Sequence, residues 1–147
     1  MEKLLLAAHV LAGILFVGPV AVTASLFPRY APLAAGSGDP GLRDAGVAAV
    51  LHRVTRSYGV IALVVPLIGL LLAGVQGRVG EIWITVAMVL TAVAGGLLAL
   101  RIAPTQREAL DSPDDGSRLR TLGAMTGVFN LLWAAVVVLM VVRPGAS

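Results

Sequence analysis

Apolar residues dominate this chain in four long blocks, separated by shorter stretches that hold nearly all of its charge. A helix needs about 20 mainly apolar residues to cross the hydrocarbon core of a bilayer. Leu4 to Phe27, Tyr58 to Val75, Ile82 to Leu100 and Leu122 to Val142 meet that requirement. The second block carries Pro66, which predicts a kink near Val64 rather than a break, because neighbouring helices can satisfy a carbonyl freed by proline. The first block is longer than the about 7–15 apolar residues of a signal peptide, although Lys3 precedes it and Val22-Thr23-Ala24 would suit a peptidase. Retention of this helix is therefore expected.

The stretches between the blocks are not uniform. Ala34 to Gly41 is rich in Gly, Ser and Pro and reads as a flexible turn. From Leu42 onward Val47, Val50, Leu51, Val54 and Tyr58 recur at helical spacing, opposite Arg43, Asp44, His52, Arg53 and Arg56. The second helix is thus expected to begin outside the apolar core, or to follow an interfacial helix. Asp111 to Ser117 reads as a turn whose last residues cap the fourth helix.

Composition agrees with a lipid-solvated chain. Of 147 residues 58% are hydrophobic and 13% charged, where a soluble domain carries about a quarter charged residues. The mean hydropathy is +0.93. A net charge of +3 could suggest nucleic acid, but the arginines form short blocks between apolar runs and not one stripe, so no nucleic-acid partner is expected. Their placement sets an orientation. Arg29, Arg43, Arg53, Arg56, Arg101, Arg107, Arg118 and Arg120 follow the first and third blocks, against Lys3, Arg78 and Arg143 on the other side. The positive-inside tendency then places both long loops in the cytoplasm, with both termini and the Gln76 to Glu81 turn outside. Trp83 falls at the outer interface. The expected architecture is all-α, one domain forming a four-transmembrane-helix antiparallel bundle.

Small residues four apart mark close helix contacts in lipid. Ala87, Thr91, Gly95 and Ala99 form such a stripe, and Gly123 and Gly127 form a GxxxG, so the third and fourth helices are expected to pack tightly. The competing use of these stripes is a homodimer. Asn130 lies well inside the fourth span and is expected to bond a carbonyl, Thr91 or Thr85, with Trp133 one turn on.

An ionisable group inside a span is a functional candidate, and His9 is the one such residue. Counting inward from each outer end sets it level with Gly69 or Leu70, Met88 and Val137, with Met140 one turn farther out. A neutral imidazole facing the bundle can ligate copper or haem iron, with Met88 or Met140 as second ligand; it can equally bond a backbone carbonyl. His52 sits at the opposite end and reads with Arg29, Arg53, Arg56 and Arg101 as a basic collar for anionic lipid headgroups, or for a phosphate or carboxylate substrate. No span contains a carboxylate, so a proton-coupled transporter would depend on His9. Cysteine is absent, and with it thiolate metal sites; no catalytic pair, phosphate loop or nucleophile elbow appears.

The first helix, His9-Val-Leu-Ala-Gly-Ile-Leu-Phe-Val-Gly18 followed by Phe27-Pro28-Arg29, resembles the opening helix of bacterial four-helix predicted integral membrane proteins of unassigned function, common in actinobacteria. It is more distantly similar to copper-resistance D domains and HemJ-type proteins of haem synthesis. The resemblance carries over His9, Gly18 and Pro28-Arg29, and implies a multi-pass protein of the bacterial cytoplasmic membrane. A HemJ-like protein would bring further ligands in later helices, and no second histidine lies within a span here. The leading expectation is a non-catalytic membrane protein, either a small accessory subunit of a larger complex or a member of that family. The alternatives are a haem- or copper-binding protein using His9, and a small-solute transporter built as a dimer around a polar pathway.

The orientation is testable with single cysteines at Ser37 and Ser117, one in each long loop. Both should resist an impermeant thiol reagent in intact cells and react after permeabilisation. Labelling of both from outside would reverse the topology.

Overall fold

The computed structural model describes residues 1–145 as an all-α fold with four long helices: α1 (Glu2–Tyr30), α2 (Ala45–Val75), α3 (Ile82–Asp111) and α4 (Ser117–Val142). All four are long and apolar enough to cross a membrane. With 26 to 31 residues each, they measure about 39–47 Å against a hydrocarbon core of about 30 Å. They outrun the apolar blocks at the ends facing the two long loops. The expectation for α2 is met in its simpler form, because the amphipathic stretch after Leu42 is the first part of α2 itself.

Consecutive helices run antiparallel, which brings both termini to one end, the terminal face, and both long connections to the other, the loop face. The second half of α1 packs on the first half of α2, while the first half of α1 packs on the second half of α2. The first part of α3 packs along α4, and α4 also packs on α1. The fourth seam is incomplete: the last turns of α3 meet the first half of α2, but the second half of α2 barely touches α3.

Periodicity explains the core. On α1, Val17, Val20, Ala24, Phe27 and Ala31 repeat at three- and four-residue steps and are all buried. Leu119, Leu122, Thr126 and Phe129 do the same on α4. Of these, all but Val17 and Thr126 join Ala48, Ala94, Ile102 and Ala109 in a cluster toward the loop face that includes the fully buried Phe27. Ala73, Trp83 and Ile84 form a second cluster at the terminal face, with Met88 and Met140 against it. The outward residues are large and apolar, as with Ile14 at 62% exposure, Leu71 at 61% and Leu131 at 72%. A surface of this kind is stable in lipid and aggregates in water.

Prolines shape three of the helices. A proline ring clashes with the carbonyl four residues back and offers it no N–H. Pro19 follows a π-helical turn at Gly13–Val17, and Pro104 follows another at Leu98–Ile102. Each widened turn contains the affected carbonyl, of Leu15 and Leu100 respectively. At Pro66 the relief is larger. Helix α2 stops at Ile61, turns through Ala62 and Leu63 and resumes at Val64. The expected kink is thus a two-residue interruption, and the Ala62 carbonyl accepts from the Val65 N–H at 3.0 Å instead.

Both loops are fastened by reciprocal capping. The Arg43 guanidinium donates through Nη1 to the carbonyls of Pro28 (2.8 Å) and Ala31 (2.7 Å), at the C-terminal end of α1. Its neighbour Asp44 caps α2 by accepting from Gly46 N and Val47 N. In the second loop Arg118 donates to the carbonyls of Ser112 (2.7 Å) and Glu108 (3.4 Å) at the end of α3. Asp114 accepts from the N–H groups of Gly116 and Arg118 at the start of α4. Gly116 has φ of 103°, a left-handed value that favours glycine. The loops are joined by the Ala34 N–H donating to the Asp114 carbonyl at 2.8 Å.

The α3–α4 contact exists, but the glycine motifs do not make it. Gly123 and Gly127 are exposed, and a Cβ added at either, or at Gly95, would meet nothing within 4 Å. The buried residues are Trp83, Ile84, Ala87 and Ala94 on the first part of α3, and Leu119, Leu122, Thr126, Phe129 and Val136 on α4. Small size alone does not tell which side of a lipid-solvated helix faces protein. Asn130 also finds a different partner from those expected, donating through Nδ2 to Ser25 Oγ on α1 at 3.1 Å. Its Oδ1 and the Thr126 hydroxyl are buried without partners among the described residues.

Arg43→Ala should destabilise the detergent-solubilised protein by about 1–3 kcal/mol, the range for hydrogen bonds made by a charged group. Arg53→Ala, at an exposed arginine, is the control. Equal denaturant midpoints for the two variants would refute the capping role.

Candidate functional site

The incomplete seam between α2 and α3 is a cleft of about 730 Å³, within the range of about 300–1,000 Å³ typical of ligand pockets. Two local features hold it open. On α3 the wall is built from small residues, Thr91, Ala92, Gly95, Gly96 and Ala99. On α2 the interruption at Ala62–Leu63 lies between the wall residues Gly59 and Pro66. The helices close together at the loop-face end, where a Cβ on Gly59 would meet Leu98 Cδ2 at 3.0 Å. At the terminal face Ala73 and Trp83 join them again. The Thr91 hydroxyl donates to the Ala87 carbonyl at 2.7 Å, so its polar atom is satisfied within α3.

Polar chemistry enters at the loop-face end, where His52, Arg56 and Arg107 line the cleft. His52 is buried, at 7% exposure, and its Nδ1 lies 2.9 Å from Gln106 Oε1. An amide oxygen only accepts, so Nδ1–H donates. Its Nε2 has no hydrogen-bond partner among the described residues. The ring packs against Phe27, centroids 6.4 Å apart and planes tilted by 60°. Beneath it, Gln106 is fully buried and its Nε2 is unpartnered. A second polar bridge, between Thr23 and Thr55, ties α1 to α2 one turn farther in. Thr55 donates to the Leu51 carbonyl, so Thr23 donates to Thr55, at 2.7 Å.

The expected basic collar is therefore not one site. Arg29, Arg53 and Arg101 are exposed and do not line the cleft. Arg56 does line it, and His52 lies inward of the surface. Gln106 and Arg107 enter from α3 without having been singled out in the sequence. Their signal was available: Ile102, Gln106 and Ala109 share one helical face, which places an amide on a buried stripe.

His9 lies elsewhere, at the α1–α2 seam. Its Nδ1 is 3.0 Å from the Val65 carbonyl, so Nδ1–H is the donor and the bond reaches the backbone beside Pro66. The ring rests on Gly69, one of the residues that depth counting sets level with it; a Cβ there would lie 2.9 Å from His9 Cε1. Met88 packs with Trp83 and Met140 and also lines the cleft. His9 thus acts as a hydrogen-bond donor between α1 and α2. Among the described residues no three His, Cys, Asp or Glu side chains gather as a ligand set.

At the terminal face Trp83 Nε1 donates to the Glu81 carboxylate, Arg78 pairs with Glu81 at 3.6 Å, and the Arg143 guanidinium lies 5.8 Å from the Trp83 ring centroid. These contacts use the polar and aromatic groups at that end and leave the α2–α3 cleft as the candidate site. No family model matches the chain, and no curated protein or solved structure matches it either.

The His9–Gly69 contact is open to a double-mutant cycle. Gly69→Ala should cost about 1–3 kcal/mol through overpacking, and His9→Ala about 0.5–1.5 kcal/mol through the lost bond to the Val65 carbonyl. The double variant should be more stable than the sum of the two losses by about 0.5–3 kcal/mol. Strict additivity in unfolding measurements would show that the two positions do not touch.

Proposed function

We propose that this protein is a non-catalytic, multi-pass protein of the bacterial cytoplasmic membrane that holds an amphipathic membrane molecule in the α2–α3 cleft, as a small accessory subunit does. The observation that carries this reading is the cleft itself, an apolar slot between two lipid-solvated helices with basic groups at one end only. The reading places the loop face in the cytoplasm, supported by eight of the eleven Lys and Arg residues lying at or near the two long loops. The resemblance of the first helix to bacterial four-helix membrane proteins supports the same topology and adds no activity. His9 takes a structural role in this reading, holding α1 to the interrupted part of α2.

A lipid carrying a diazirine in its acyl chain, reconstituted with the protein in nanodiscs, tests the proposal. Peptides covering Gly59 to Pro66 and Thr91 to Ala99 should be labelled above the other lipid-facing surfaces. Gly95→Leu should suppress that labelling without loss of thermal stability, because a side chain at Gly95 enters open space. Labelling spread evenly over all four helices, or unchanged by Gly95→Leu, would defeat the proposal.

A further inference from the structure

We infer that the occupant of the α2–α3 cleft is an anionic single-leaflet lipid, its acyl chain along α3 and its acidic headgroup between Arg56 and Arg107 beside His52. This rests on the reading of the cleft as an amphiphile site. The charge pattern of the wall selects the sign. Two guanidiniums and an imidazole line the loop-face end, and no Asp or Glu lines the cleft. A zwitterionic headgroup would bring its cation against like charge, with no carboxylate among the cleft-lining residues to receive it.

The availability of these cations narrows the choice further. Arg43 and Arg118 are committed to helix carbonyls. Arg56 has no carboxylate within ion-pair distance among the described residues. Arg107 pairs with Asp111 at 3.8 Å, but their side chains are 62% and 69% exposed. Such an exposed pair contributes about 0–1 kcal/mol, so a headgroup can displace it. His52 adds a group of fixed orientation, since Gln106 holds Nδ1 while Nε2 remains without a partner.

Dimensions select a lipid over a free anion. The apolar wall of α3 runs from Ala99 to Met88. Eleven residues at helical rise make about 16 Å, close to the half-thickness of about 15 Å that one leaflet occupies. A soluble phosphate would fill only the basic end and leave this wall uncovered.

The test compares photoactivatable phosphatidylglycerol with phosphatidylcholine of identical chains, at equal mole fraction in nanodiscs holding the full chain. Labelling of the cleft peptides should favour phosphatidylglycerol by roughly five- to thirtyfold, the range expected from one or two basic groups meeting an acidic lipid. Arg56→Gln with Arg107→Gln should lower that labelling to the phosphatidylcholine level while leaving thermal stability unchanged. Arg120→Gln, outside the cleft, should leave it as in the wild type. Inorganic phosphate at ionic strength matched with chloride should not compete. Equal cleft labelling by both lipids would overturn the headgroup assignment and leave the amphiphile reading standing. Absence of cleft labelling with either lipid would remove the amphiphile reading itself. Competition by inorganic phosphate would show a soluble-anion site and overturn the lipid assignment.

Discussion

Backbone hydrogen bonding in an apolar solvent governs this fold, because lipid offers no partner to a carbonyl that a proline has stripped of its N–H. Three helices carry a proline well inside their length, and each departs from regular α-helix just before it. In α1 and α3 a wider turn suffices. In α2 the chain leaves the helix for two residues, and the repair recruits Val65 N for the Ala62 carbonyl, while His9 adds a bond to the neighbouring Val65 carbonyl. The second half of α2 then packs with α1 and barely touches α3, so the cleft lies beside the most disturbed segment of backbone.

The arginines at the loop face divide into two physical classes. Arg43 and Arg118 close the C-terminal ends of α1 and α3, each adjacent to or four residues beyond an aspartate that caps the next helix. These are structural cations, fixed by carbonyls at the helix ends. Asp115, in the same loop, has its carboxyl held below the usual value by the Ser117 hydroxyl and backbone N–H, with a smaller effect of Arg120. That depression means the contact favours the folded loop above the ordinary carboxylate range and fades as pH falls through it. Arg29, Arg53, Arg56, Arg101 and Arg107 instead keep long exposed side chains at or near the loop face.

Hydropathy alone located the four helices, because crossing a bilayer demands long apolar runs and little else does. Depth was also legible: counting residues from the terminal-face ends set His9 level with Gly69 or Leu70, and Gly69 lies against its ring, since antiparallel helices share one rise per residue. Rotation about each helix axis was not. The stripe Thr91, Gly95 and Ala99 lines the cleft, and Gly123 and Gly127 are exposed, although both motifs suit a helix contact. In a water-soluble helix the polar face reveals the buried one; here both faces are apolar and the signal vanishes. Asn130 bonding to Ser25 illustrates the same loss, since neither depth nor composition distinguishes a partner on α1 from one on α3. The His52–Gln106 pair was not legible: the sequence set His52 on the polar face with Arg53 and Arg56, whereas the buried face of that stretch is Ala48, His52 and Thr55, and Val47 and Val50 are exposed. The π-helical turn at Leu98–Ile102 also alters the register of α3 just before Gln106, which regular periodicity does not reveal.

The glycines show why the cleft is more than loose packing. Gly59 and Gly69 bring side chains of neighbouring helices within 3.0 Å of the position a Cβ would take, so each is explained by a contact inside the protein. Gly95 and Gly96 line the cleft and have nothing within 4 Å of that position. Glycine in a helix interior costs about 0.8–1.0 kcal/mol relative to alanine, and two in succession weaken α3 with no internal contact to offset them. Packing against α2 would supply that contact, but the interruption at Ala62–Leu63 and the bond from His9 hold the second half of α2 toward α1. The proposed acyl chain in the cleft would supply it in α2's place. The same chain would cover the backbone of α3 where glycine leaves it bare.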